Sequence, residues 1–150
     1  MKVGFTIGKF APLHKGHEYL INKGIKENDE FYILINDTSV TKVPLEERAE
    51  WLKEMYPKAH ILLGKNPPEK YGMDSESIKI QTDYLKEMFR GIPVTTFYSG
   101  EKYGEYVSRA LNVENIQVDK KIPICATKIR EDLETNKNYI ENFIYKKLKV

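Results

Sequence analysis

At 150 residues the chain can bury one core, but it is too short for a second module with a core of its own. Lysine and arginine number 24 against 22 acidic residues, and the net charge of +2 leaves no polybasic arm for nucleic acid or a membrane surface. The single cysteine, Cys125, excludes an internal disulfide, no Cys/His spacing suits zinc, and the N-terminal MKVGFTIGKF is too short and polar for a signal peptide or membrane helix; the expectation is a cytoplasmic protein.

In chain order, five short runs rich in β-branched and aromatic residues predict strands: Lys2–Gly8, Glu30–Asn36, Ala59–Gly64, Ile92–Ser99 and Asn115–Val118. Between them, His17–Glu27, Pro44–Met55, Glu76–Phe89 and Tyr103–Ala110 carry helical spacing, with Ile78, Thr82, Leu85 and Phe89 recurring at intervals of three and four. Two further helices are expected at Thr127–Leu133 and Tyr139–Leu148, forming a helical tail over about 127–150. Strands alternating with helices predict an α/β fold, a single Rossmann-like domain of about five parallel strands with helices on both faces. Ligands of such sheets bind beyond the carboxyl ends of the strands, where the winding direction reverses. The Pro67-Pro68 pair and Gly72 make Gly64–Ser75 a long loop.

The string GKFAPLHKGHEYL, Gly8–Leu20, begins at such a carboxyl end. Histidine is a mediocre helix former and glycine a poor one, so a core helix has no use for this spacing. Gly8 permits close backbone approach, Pro12 fixes a bend, and Gly16 lets the chain turn into the helix, which brings His14 and His17 to the helix mouth. Unpaired N–H groups and the positive end of the helix dipole make that mouth an anion site. Neither a dinucleotide fingerprint nor a phosphate loop is present: GFTIG lacks the third glycine, and GKNPPEK misplaces its glycine and lysine.

GKFAPLHKGH resembles the signature of the HxGH nucleotidylyltransferase superfamily, and ICATKIRED, Ile124–Asp132, resembles its second signature, which opens a late helix. Within that superfamily the wording of GKFAPLHKGHEYLI, ILINDT, ERAEWLKEMYP and ATKIRE is most similar to the nicotinamide mononucleotide (NMN) adenylyltransferases of the bacterial NadR type. The similarity runs from Lys2 to about Asn136 and lapses between Lys65 and Glu87. The helix-turn-helix and kinase modules of longer NadR proteins do not fit in this length, so repression and kinase activity are not carried over.

The resemblance implies transfer of an adenylyl group from ATP to the phosphate of NMN, giving NAD and pyrophosphate by in-line attack. The acceptor oxygen is already anionic, so positioning and charge stabilisation carry the catalysis. It also implies that His14, His17 and Arg130 act on the phosphates, that Gly8, Lys9, Phe10 and Gly16 line the nucleotide cleft, and that Thr127 with Arg130 holds the β- and γ-phosphates. Cys125 is counted with the nucleotide-binding residues, although it stands where the superfamily often has a small polar residue such as serine, whose hydroxyl it lacks. Mg2+ is expected as the cofactor, bound through ATP phosphates, with no protein metal ligand named.

On the acceptor side Asp37, Thr38, Arg48 and Trp51 are candidates. Asp37 and Thr38 equally suit an Asx-type turn, Arg48 an ion pair with Glu47 or Glu50, and Trp51 the core. Lys42 suits either a phosphate or solvent, and Ser99, Gly100 and Glu101 follow the fourth strand toward the same cleft. Transfer to another acceptor (phosphopantetheine, FMN, or a polyol phosphate with CTP) and a nucleotide sensor without catalysis stay open as alternatives. The expected partners are ATP and NMN, with no nucleic acid or membrane, and a homo-oligomer is compatible with the aromatic content.

Overall fold

The computed structural model describes residues 1–68, 74–100 and 104–149, with side chains of the helix at Gly104 described from Val107 onward. Five strands, β1 (Val3–Gly8), β2 (Glu30–Asn36), β3 (His60–Gly64), β4 (Thr96–Ser99) and β5 (Glu114–Gln117), form one sheet in the order β3-β2-β1-β4-β5. Every adjacent pair is parallel. The crossovers contain α1 (Lys15–Glu27), α2 (Leu45–Met55), α3 (Ser75–Met88) and α4 (Gly104–Leu111); α5 (Ala126–Glu131), α6 (Leu133–Asn136) and α7 (Asn142–Lys149) follow β5.

The strands place alternate side chains on opposite faces, and the core divides accordingly. Ile33 and Ile35 pack with Ile21 of α1, Leu52 of α2, Ile129 of α5 and Ile144 of α7 on one face. Leu34 points the other way and packs with Phe5, Phe97, Leu85 of α3 and Val107 of α4. Burying each such aliphatic or aromatic side chain contributes roughly 1.5–3 kcal/mol, so both faces must be covered for the sheet to persist. Among the described residues, no helix is long and apolar enough to cross a membrane.

Element boundaries shift where side chains compete with the backbone. β4 begins at Thr96 rather than Ile92, because Pro93 has no N–H and the Thr95 hydroxyl takes the place of a ladder group, accepting from Val3 N at 2.9 Å. The helix expected over Thr127–Leu133 breaks at Asp132, whose carboxylate caps the Thr135 N–H at 3.1 Å and starts α6. Tyr139 ends a 3-10 turn, Lys137–Tyr139, so the last helix starts only at Asn142. The loop expected over Gly64–Ser75 follows β3 and ends at the Asp74 cap of α3, but its residues 69–73 lie outside the described ones.

Between β1 and β4 the winding direction reverses. Those two strands are in register only at Gly4↔Thr96 and Phe5↔Phe97. Beyond Phe5 they part, with the Thr6 hydroxyl donating to the Tyr98 carbonyl at 2.8 Å, and a crevice opens at their carboxyl ends.

Candidate active site

The crevice is a cleft of about 590 Å³ whose floor is the end of β1 and whose wall is the start of α1. α1 begins at Lys15, two residues before the expected start, because His14 serves as its N-cap. The His14 Nδ1 accepts from the backbone N–H of Gly16 at 3.1 Å and of His17 at 3.3 Å, while His14 N–H donates to the His17 Nδ1 at 3.2 Å. This reciprocal arrangement is a capping box built from two imidazoles. Gly16 makes it possible: a Cβ there would lie 2.9 Å from the His14 ring.

The two rings stack with centroids 3.7 Å apart, and the Phe10 ring meets His17 edge-on at 4.8 Å. Since both Nδ1 atoms accept, the neutral tautomer of each carries its proton on Nε2. Burial, and then the charge of Lys120, lowers His14 to about 4. Burial, and then His14, holds His17 well below its ordinary value. At neutral pH the helix mouth therefore presents two neutral Nε2–H donors fixed by the backbone.

Two arginines grip the loop that connects β1 to α1. Arg48, fully buried on α2, donates to the carbonyls of Lys9 and Asn36, to Val43 O at 3.1 Å and to Asp37 Oδ1 at 3.3 Å. Arg130 on α5 donates to Ala11 O at 2.7 Å and to the Thr127 hydroxyl at 3.2 Å. Between them Phe10 is held at φ +48°, a left-handed conformation uncommon for a non-glycine residue, with its ring buried. The loop's geometry is thus determined by side chains distant in sequence.

Of the expected residues, Gly8, Lys9, Phe10, His14, Gly16, His17, Thr127 and Arg130 converge on the cleft, as do Ser99 and Gly100; Glu101 lies outside the described residues. Cys125 is the N-cap of α5, makes no capping hydrogen bond, and does not line the cleft, although its neighbours Ile124 and Ala126 do. Asp37, Thr38, Arg48 and Trp51 do not line it either. Asp37 accepts from Thr38 N–H at 2.8 Å and Thr38 Oγ1 from Val40 N–H at 3.3 Å, which makes the turn that ends β2. Arg48 has its donors on the carbonyls named above, and Trp51 is a core residue.

Lining residues that the motif reading missed are Asn36, Gln81, Tyr84, Asp119, Lys120 and Lys121. Tyr84 of α3 donates its hydroxyl to Asn36 Oδ1, spanning from the helix to the end of β2. The signal for the lysines was present in the string VDKKIP, which precedes the second signature at the end of a strand. Among the described residues, no group of three His, Cys, Asp or Glu assembles a metal site.

No protein-family model matches the chain. The trifunctional NAD biosynthesis/regulator protein NadR of Escherichia coli strain K12 is 28% identical over 153 residues, covering 87% of this chain and 36% of that protein. The chain thus spans about a third of the curated relatives it matches. A crystal structure of NadR protein in complex with NAD and AMP-PNP superimposes with a TM-score of 0.66 at 25% identity, over 93% of this chain and 44% of that one. A bifunctional NMN adenylyltransferase/ADP ribose pyrophosphatase from Francisella tularensis shares the fold, with a TM-score of 0.70 at 15% identity over 93% of this chain and 44% of that one.

Proposed function

On the premise that this chain belongs to the nucleotidyltransferase superfamily of the NadR and NMN adenylyltransferase type, we propose that it transfers the adenylyl group of ATP to NMN, forming NAD and pyrophosphate. The observation that carries the reading is the pair of neutral histidine donors at the N-terminus of α1, facing Arg130 and Thr127 across one cleft. An NMN phosphate oxygen attacks the α-phosphorus as the bond to the bridging oxygen breaks, and that electron pair leaves on pyrophosphate. No proton needs to be removed from the nucleophile.

Charge develops on the non-bridging oxygens and on the departing pyrophosphate. The Nε2–H groups of His14 and His17 and the N-terminal N–H groups of α1 suit the first, because their positions are fixed before reaction. The Thr127 hydroxyl and the Arg130 guanidinium suit the second, as planar guanidinium donors match two oxygens at once. Among the described lining residues the single carboxylate is Asp119, so Mg2+ would be carried mainly by phosphate oxygens and waters, and Asp119 is the carboxylate of this lining that would help hold it. The ion supplies charge neutralisation to the phosphates when bound.

The test is pyrophosphate release by purified protein with ATP and Mg2+, offering in turn NMN, deamidated NMN, phosphopantetheine and FMN, with glycerol phosphate plus CTP separately. Turnover on NMN that disappears in His17→Ala supports the proposal. Turnover on another acceptor alone refutes the NMN assignment.

A further inference from the structure

Resting on the nucleotidyl-transfer reading, we infer that Lys120 and Lys121 form the cationic clamp for the β- and γ-phosphates of the bound triphosphate. A polyanion entering the cleft needs counter-charge, and the two histidines supply none because they are neutral. The described cations of the lining are Lys9, Lys120, Lys121 and Arg130. Lys9 already has an interaction of its own, and Arg130, with two of its donors on Ala11 O and the Thr127 hydroxyl, brings a single positive charge, short of what a triphosphate carries. Lys120 and Lys121 are exposed and make no ion pair with a described residue, Asp119 included.

Their backbone is tethered although their ammonium groups make no ion pair among the described residues. Val118 N–H donates to Ser99 O at 2.7 Å, and Ile124 N–H to Ile122 O at 2.8 Å, with Val118 and Ile124 both buried. The connection from β5 to α5 is therefore anchored to the sheet at Val118 and to the core through the buried side chains of Val118 and Ile124, and the lysine pair between them lines the same cleft as His14. The Lys120 ammonium lies near enough to His14 to disfavour its protonation. A compact cation on a flexible stem beside two fixed imidazole donors suits the terminal phosphates, whose charge shifts as pyrophosphate leaves.

The experiment is calorimetric titration of ATP and of AMP, each with Mg2+ and without acceptor, into wild type, Lys120→Gln, Lys121→Gln and the double variant. The surface variant Lys53→Gln serves as control. The double variant is expected to lose about tenfold or more in ATP affinity, as for a charge-assisted contact, with AMP affinity unchanged because AMP lacks the β- and γ-phosphates. In Lys120→Gln, NMR titration of the His14 imidazole should move its midpoint upward. Unchanged ATP affinity, an equal loss for ATP and AMP, or an equal loss in Lys53→Gln would overturn the clamp. Failure of wild type to bind ATP would overturn both readings, whereas ATP binding weakened as described without transfer to any acceptor would leave the clamp standing and remove the proposed reaction.

Discussion

His14 holds two positions at once, since its Nδ1 caps the helix while the residue lines the cleft, leaving Nε2 as its remaining ring donor. The roles separate by substitution. Alanine removes both, and loss of a cap costs about 1 kcal/mol. Asparagine is a strong N-cap whose short side chain still reaches the N–H groups of the first turn but does not extend to the Nε2 position. His14→Asn is therefore expected to keep the thermal midpoint close to wild type while lowering turnover by about 10²- to 10³-fold, the usual effect of deleting one donor to transition-state charge. Thermal denaturation and pyrophosphate release measured on the same preparations check it. A variant that loses stability and activity together would mean that the imidazole acts only through the fold.

At the scale of elements, the loop from β1 to α1 is positioned by helices that come later in the chain. Arg48 of α2 and Arg130 of α5 take the carbonyls of Lys9 and Ala11, on either side of the strained Phe10. Arg48 has no exposed surface, and its removal leaves the carbonyls of Lys9, Asn36 and Val43 without that donor. Burial pulls its guanidinium below the ordinary value, while Asp37 opposes that pull, so it stays charged across the physiological range. Arg48→Ala should cost about 3 kcal/mol or more, read as a lower urea midpoint at unchanged slope. Arg48→Lys should recover little of this, because one ammonium cannot reach acceptors spread over three segments. The residue suggested by sequence as an acceptor contact would then affect turnover through the shape of the loop, with the loss tracking stability across the variants.

At the scale of the molecule, the parallel sheet and its covering helices were legible because strand runs and helical spacing agreed with each other along the chain. The convergence of His14, His17, Thr127 and Arg130 on one cleft was legible, since both signatures are local strings whose geometry follows from a strand end and a helix start. What escaped was whatever depends on distant partners: Arg48 bonding across to Lys9, Tyr84 reaching Asn36, and two lysines brought to the cleft by an anchored connection. Buried ionisable groups were equally invisible, and they set the pH response of the whole fold. Glu18, next to His17, has an Oε2 without a partner and is raised from 4.5 to about 7, chiefly by burial and then by Glu141 of the segment that leads into α7. Its folded form prefers the proton, so its contribution to stability is full below 4.5 and is lost as pH rises toward 7. His14 and His17 act in the opposite sense: the unfolded chain takes up protons below 6.5 while the folded imidazoles resist, so stability falls as pH falls through that range. Two histidines against one carboxyl give a net rise with pH up to about 6.5, followed by the decline due to Glu18. Glu18→Gln removes the decline and steepens the rise, because the Glu18 loss begins at 4.5, inside the histidine range. It should stabilise the protein at pH 8 by on the order of 1 kcal/mol, because a buried charge is replaced by a neutral amide, and by little at pH 4, where both side chains are uncharged. Denaturant midpoints of wild type and variant at those two pH values decide it, and an equal gain at both would mean that Glu18 acts through packing rather than charge.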